Sequence, residues 1–153
     1  MKLVIVIPCY NEEEVLPVSS QEIGGLLKGL MTKGKISEDS KILFVDDGSA
    51  DRTWNLIEEL SKQDSLYTGL KFSRNFGHQA AVLAGLTVAS KDADAIISID
   101  ADLQDDILAI EKMVDAYLEG NEVVYGVRNK RDTDTWFKRT TAVGFYKAMN
   151  LLG

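Results

Sequence analysis

The chain has one cysteine, one histidine and two prolines in 153 residues. A single thiol, Cys9, excludes an intrachain disulfide, and such sparse cysteine fits a cytoplasmic setting. A single imidazole, His78, excludes a histidine-based metal cluster. No apolar run approaches the ~18 residues that suggest a membrane span. The run at residues 3–7 is too short for a signal-peptide core, and Asn11-Glu12-Glu13-Glu14 follows closely. The chain by itself therefore reads as soluble. There is no internal repeat and no low-complexity linker. The phosphate loop GxxxxGK[ST] is absent, and no GxGxxG follows the first strand, which disfavours a nucleoside triphosphatase and an ordinary NAD enzyme.

What remains is ordinary in amount and uneven in placement. Apolar content of 45% and charged content of 27% suit one globular domain with a sizeable core. From Gly126 onward six Lys and Arg stand against Asp132 and Asp134, a local +4. The preceding 125 residues then carry −11 of the net −7. An acidic body argues against general nucleic-acid binding. A basic tail beside an acidic metal site would suit a ligand that carries phosphates.

The organising stretch is IISIDADLQDD, residues 96–106. Its start reads as a buried strand. Alternate residues of an extended chain share a face, so Asp100, Asp102 and Gln104 point the same way. Two carboxylates and an amide oxygen at a strand end suit a hard cation such as Mg²⁺ or Mn²⁺. The bland alternative is a solvated acidic turn, and for Asp105 and Asp106 it is the better one: they favour the dipole of a helix starting near Ile107.

Strand and helix patterns alternate along the rest of the chain. Residues 3–7 and 42–45 are continuous apolar runs, the pattern of strands buried on both faces. Pro17 places a helix start at residues 14–17. Ser49 and Asp51 are good caps for a helix carrying Trp54, Ile57 and Leu60. Residues 66–72 read as a third strand. Residues 80–89 are small and apolar nearly all round, which predicts a helix packed deep against the sheet. Residues 95–99 form the central strand, Ile107, Ile110, Val114 and Tyr117 mark one helix face, and residues 122–125 form a fifth strand. The expected fold is α/β, with parallel strands and helices on both faces.

Ligands of such sheets bind beyond the carboxyl ends of the strands. The loops there are CYNEE, DDGSAD, SRNFGHQ, DADLQDD and GVRNKR. Asp47 can accept from a ribose hydroxyl or a base N–H, or belong to a tight turn. Arg74 and Asn75 precede a helix start whose N–H groups attract phosphate, while His78 also reads as a loop-capping side chain. Tyr10 is a stacking platform or a half-buried aromatic. Arg128, Arg131 and Arg139 are candidate diphosphate clamps or solvated surface. Cys9 reads as a buried small residue.

IPCYNEE, VDDGSADRT, FSRNFGHQ, IDADLQDD and VYGVRNKR, in this order and spacing, resemble the family 2 glycosyltransferases of GT-A fold. Within that family they look most like the polyprenyl-phosphate branch, the dolichol-phosphate mannosyltransferases and bactoprenol glucosyltransferases. The resemblance implies a Rossmann-like, mostly parallel sheet, here the N-terminal, nucleotide-sugar-binding part (residues 1–153) of a longer catalytic domain. It implies that Pro8, Tyr10, Glu12, Val45 and Asp47 line the nucleotide pocket. Asp100, Asp102 and Gln104 would hold Mg²⁺ or Mn²⁺ on the donor diphosphate, and Arg128, Arg131 and Arg139 would face phosphates. Asp102, Arg128 and Arg139 are the residues implied in catalysis; the base is expected beyond residue 153.

The implied reaction is inverting transfer of a sugar from a UDP- or GDP-sugar to a polyprenyl phosphate in cell-envelope glycan synthesis. The full-length protein would work at the cytoplasmic face of the membrane. A hydroxyl acceptor and a non-catalytic sugar-nucleotide-binding module are the alternatives. A phospho-accepting receiver domain would need its acidic pair after the first strand, where Pro8-Cys9-Tyr10-Asn11 stands. Residues 136–152 mix Trp136, Phe137, Phe145, Tyr146 and Met149 with Lys138, Arg139 and Lys147. That mixture suits a helix lying in a membrane interface or one covering the sheet, and the surplus apolar face predicts self-association of the isolated chain.

Overall fold

The computed structural model describes residues 1–102, 107–124 and 126. Four strands, β1 (Leu3–Cys9), β2 (Lys41–Asp46), β3 (Tyr67–Lys71) and β4 (Ala95–Ser98), alternate with four helices. These are α1 (Leu16–Thr32), α2 (Thr53–Gln63), α3 (His78–Ala89) and α4 (Leu108–Leu118). The strands are all parallel, in the order β3-β2-β1-β4. β1 is buried along its whole length, because it pairs on both sides and is covered on both faces. Its continuous β-branched run is what such a position demands.

The period of two along β1 divides the core. Leu3, Ile5 and Ile7 face α1, α2 and α4 through Leu16, Ile23, Leu27, Ile57, Ile110 and Val114. Val4 and Val6, with Leu43 and Val45 of β2, face α3 through Ala81 and Ala89. Each fully buried Leu or Ile contributes about 1.5–3 kcal/mol, so the first face carries most of the hydrophobic stabilisation. On the second face small residues bring α3 close: a Cβ on Gly85 would stand 2.3 Å from Val6 Cγ1.

Three elements differ from the sequence expectation. In α3 only Ala81, Gly85 and Ala89 are buried, whereas Leu83 is 66% exposed. Among the described helices α3 alone covers its face of the sheet, so no described layer covers its outer side. Residues 95–98 form the end strand of the described sheet rather than a central one. They are half-buried or exposed, because β4 pairs with β1 only. Residues 122–124 form no strand; a cavity of about 500 Å³, lined also by Met113 and Tyr117, lies between them and β4. Tyr125 and residues 136–152 lie outside the described residues, as do Gln104, Asp105, Asp106, Arg128, Arg131 and Arg139. Among the described residues no helix is long and apolar enough to cross a membrane.

Candidate functional site

The carboxyl ends of β1, β2 and β4 open into a second cavity, of about 310 Å³. Its walls are Pro8 at the end of β1, Tyr10 and Glu12 beyond it, Asp47 after β2, Asn75 and His78 around the start of α3, and Asp100 with Asp102 after β4. The larger cavity beside β4 is lined mainly by Ala, Ile, Met and Val side chains. The smaller one gathers polar groups from all four loops, which marks it as the candidate site.

The loop after β2 holds the loops after β1 and β3 in place. Asp47 is 2% exposed, and its carboxylate accepts the Phe76 N–H at 2.7 Å and the Gly77 N–H at 2.9 Å. Its own N–H donates to the Cys9 carbonyl at 2.8 Å. Gly48 has φ +69°, and a Cβ there would stand 2.3 Å from the Arg74 carbonyl carbon, so glycine is required on both counts. On the other side Ser49 Oγ accepts the Asn11 N–H at 2.9 Å, Thr53 Oγ1 the Glu12 N–H at 2.8 Å, and Asp51 the Glu13 N–H at 3.1 Å. Asn11 Oδ1 accepts the Ala50 N–H in return, and Asn11 takes φ +54°, which asparagine tolerates better than most residues. Neither expected cap holds its place: the N-cap position of α2 is Arg52, with no side-chain cap, while Asp51 accepts the Thr53 N–H from one residue further out and Ser49 holds Asn11. Asp46 is wholly buried; one oxygen accepts the Ser49 N–H at 3.2 Å, and the other has no hydrogen-bond donor.

Charge in the cavity is one-sided. Burial raises the Glu12 pKa, and the charges of Asp102, Asp51 and Asp100 raise it further. Burial likewise pushes the Cys9 thiol up, with Glu12 and Asp46 adding to it, so Cys9 stays a protonated core thiol. Repelling carboxylates open to solvent fit a hard cation. Mg²⁺ ordinarily takes one or two carboxylates together with substrate phosphates, and Asp100 and Asp102 supply that number. Among the described residues no three acidic, histidine or cysteine side chains form a complete cage.

Of the expected site residues, Pro8, Tyr10, Glu12, Asp47, Asp100 and Asp102 line one cavity. Val45 does not: its side chain is fully buried on the α3 face, and alternation along β2 turns it away from the α1 side where Phe44 and Asp46 lie. Gln104, Arg128, Arg131 and Arg139 lie outside the described residues. Asn75 was read from the sequence only as preceding a helix start that attracts phosphate, and His78 as a loop-capping side chain; neither was given a place in the site. Their signal was the position after a parallel strand, at a helix start.

The profile of glycosyl transferase family 2 matches residues 4–152. An uncharacterized glycosyltransferase of Bacillus subtilis (strain 168), YkoT, is 56% identical over 151 residues, covering 99% of this chain and 45% of that protein. A bactoprenol glucosyl transferase of Shigella phage SfV is 40% identical over 152 residues, covering 98% of this chain and 46% of that protein. The chain thus spans about half the length of these curated relatives. Among solved structures, residues 1–349 of S. aureus TarS in complex with UDP superpose with a TM-score of 0.54 at 19% identity. That match covers 90% of this chain and 40% of the other. It supports the GT-A fold: an α/β sheet of parallel strands with helices on both faces. The match over nearly every residue, together with these relatives, establishes that the chain belongs to glycosyl transferase family 2.

Proposed function

We propose that the protein transfers a sugar, with inversion, from a UDP- or GDP-sugar to a polyprenyl phosphate, and that the reaction depends on Mg²⁺ or Mn²⁺. The observation that carries this reading is one cavity at the strand ends, lined by Glu12, Asp47, Asp100 and Asp102. The choice of acceptor leans on the name of the bactoprenol relative, and the choice of nucleotide on the UDP-bound neighbour. The protein would then act at the cytoplasmic face of the cell membrane, where such an acceptor is presented.

Asp100 and Asp102 are the residues that would hold the cation, with Gln104 as the further oxygen donor. When bound, the cation supplies Lewis-acid stabilisation of the charge on the departing nucleoside diphosphate. Tyr10 and Pro8 offer the nucleoside an aromatic and apolar wall. A carboxylate has about four lone-pair sites; Asp47 spends two on Phe76 and Gly77, leaving others for a nucleoside N–H or hydroxyl. Arg128, Arg131 and Arg139 are proposed to meet donor and acceptor phosphates, Arg128 and Arg139 at the reacting centre. A phosphate monoester has a second pKa near 6, so the acceptor is largely ionised at pH 7 and demands little of a base. Calorimetric titration with UDP, GDP and CMP, with and without Mn²⁺, tests donor binding. Turnover of the corresponding sugar-nucleotide separates an enzyme from a binding module.

A further inference from the structure

We infer that His78 is a binding residue for the donor diphosphate, donating a hydrogen bond to a phosphate oxygen; this rests on the metal-dependent donor site proposed above. His78 is the first residue of α3 and lines the same cavity as Asp100. Its Nε2 stands 3.8 Å from Asp100 Oδ1, and neither side chain is buried. That separation is too long for a direct hydrogen bond. It leaves room for one oxygen at hydrogen-bonding distance from the imidazole. Neighbouring oxygens around an octahedral Mg²⁺, with bonds of about 2.1 Å, lie about 3 Å apart. An oxygen within hydrogen-bonding reach of Nε2 would therefore also lie within reach of a cation that Asp100 would hold. The group that brings such an oxygen, charged and acceptor-only, is a phosphate.

The placement of His78 is also enforced from outside the helix. Asp47 holds the amides of the two preceding residues, Phe76 and Gly77, and Gly77 takes φ +96° to enter the helix. Ala81, buried and also in the cavity wall, seats the first turn on the sheet. The start of α3 thus faces the cavity, where its free N–H groups favour negative charge. Glu12, Asp47, Asp100 and Asp102 repel a bare diphosphate. His78 is the one basic side chain among the described residues of this wall. It gives the phosphates a donor on the side away from the cation.

The test is calorimetric titration of the whole chain with UDP, GDP and inorganic pyrophosphate, each in Mg²⁺ and in chelator, for the wild type, His78→Ala and His78→Lys. His78→Ala is expected to bind the better nucleotide and pyrophosphate about tenfold more weakly in Mg²⁺, the loss of one hydrogen bond to a charged group. His78→Lys restores most of that affinity. The urea midpoint of His78→Ala stays at the wild-type value, which a merely structural role would move. Wild-type binding with an unchanged His78→Ala overturns the inference alone. A loss confined to the nucleotide, with pyrophosphate unaffected, also overturns it, because the contact would then be to the nucleoside. Failure of the wild type to bind either nucleotide in Mg²⁺ overturns the donor-site reading and this inference with it.

Discussion

Two acidic pairs stand at the ends of apolar strands in this chain, Asp46-Asp47 at the end of β2 and Asp100 with Asp102 after β4, and the fold uses them differently. Asp46 and Asp47 are 0% and 2% exposed; one Asp46 oxygen accepts the Ser49 N–H of its own loop, and both Asp47 oxygens accept backbone N–H groups of the loop after β3. The Asp100 side chain is 61% exposed, and Asp102 is exposed beside it in the cavity. The cause is strand position. β2 lies inside the sheet, so the loop leaving it is flanked by those leaving β1 and β3 and ties them together. β4 is the end strand of the described sheet, and its acidic residues meet open space on the cavity side. One pair builds the site, and the other lines the cavity that the site opens into.

The sharpest way to break this contrast is to cut the β2 clamp. Asp47→Ala should cost about 3 kcal/mol, since two charge-assisted hydrogen bonds are lost and two amides lose their acceptor. A urea-unfolding midpoint close to that of the wild type would mean that the clamp is ornamental. Gly48→Ala should cost about 2 kcal/mol, combining a left-handed φ with contact against the Arg74 backbone. Asp100→Asn in the same assay should stay within about 0.5 kcal/mol of the wild type, as exposed substitutions do. Equal losses for Asp47→Ala and Asp100→Asn would erase the distinction.

Much of the fold was legible in the residues, because burial on both faces leaves few alternatives. The β-branched run of β1 and Pro17 in the first turn of α1 each have one reading that fits. The division between the two acidic pairs was not legible. Each pair follows an apolar stretch, and only strand order separates them. The exposed outer side of α3 and the half-buried state of β4 escaped for the same reason: burial of an apolar segment depends on which layers cover it. His78 escaped because its place at the cavity depends on Gly77, whose amide is held by Asp47, 30 residues away in sequence. Val45 was assigned by resemblance, while the period of two along β2 already pointed its side chain elsewhere.

A smaller effect sharpens the comparison from the binding side. Glu12 carries a folded-state pKa above its ordinary value, raised by burial and by Asp102, Asp51 and Asp100. Its contribution to stability is therefore full below the unfolded carboxylate pKa and is lost as pH rises through the folded one. Glu12→Gln should give the metal-free chain a small rise in Tm at pH 7 and none at pH 4, with the difference shrinking when Mg²⁺ is added. An unchanged Tm at both pH values would remove the repulsion from the account. The smallest effect lies far from the site, where Lys33 and Lys35 hold the Glu111 carboxyl down to about 2. Its contribution is present above the unfolded value near 4.3 and is lost as pH falls toward 2. Glu111→Gln should flatten acid unfolding in that window and change little at pH 7, because partly exposed surface pairs are screened by solvent.

The central claim, that Asp100 and Asp102 are the cavity-lining pair that binds the cation, is tested most directly by calorimetric titration of Asp102→Asn and the wild type with UDP and GDP, in Mg²⁺ and in chelator. The account predicts that the wild type binds one of the two nucleotides more tightly in Mg²⁺. It predicts that Asp102→Asn keeps the wild-type urea midpoint while losing that metal-dependent gain, since an amide is a far weaker ligand for a hard cation. Equal wild-type affinity in Mg²⁺ and in chelator would contradict it.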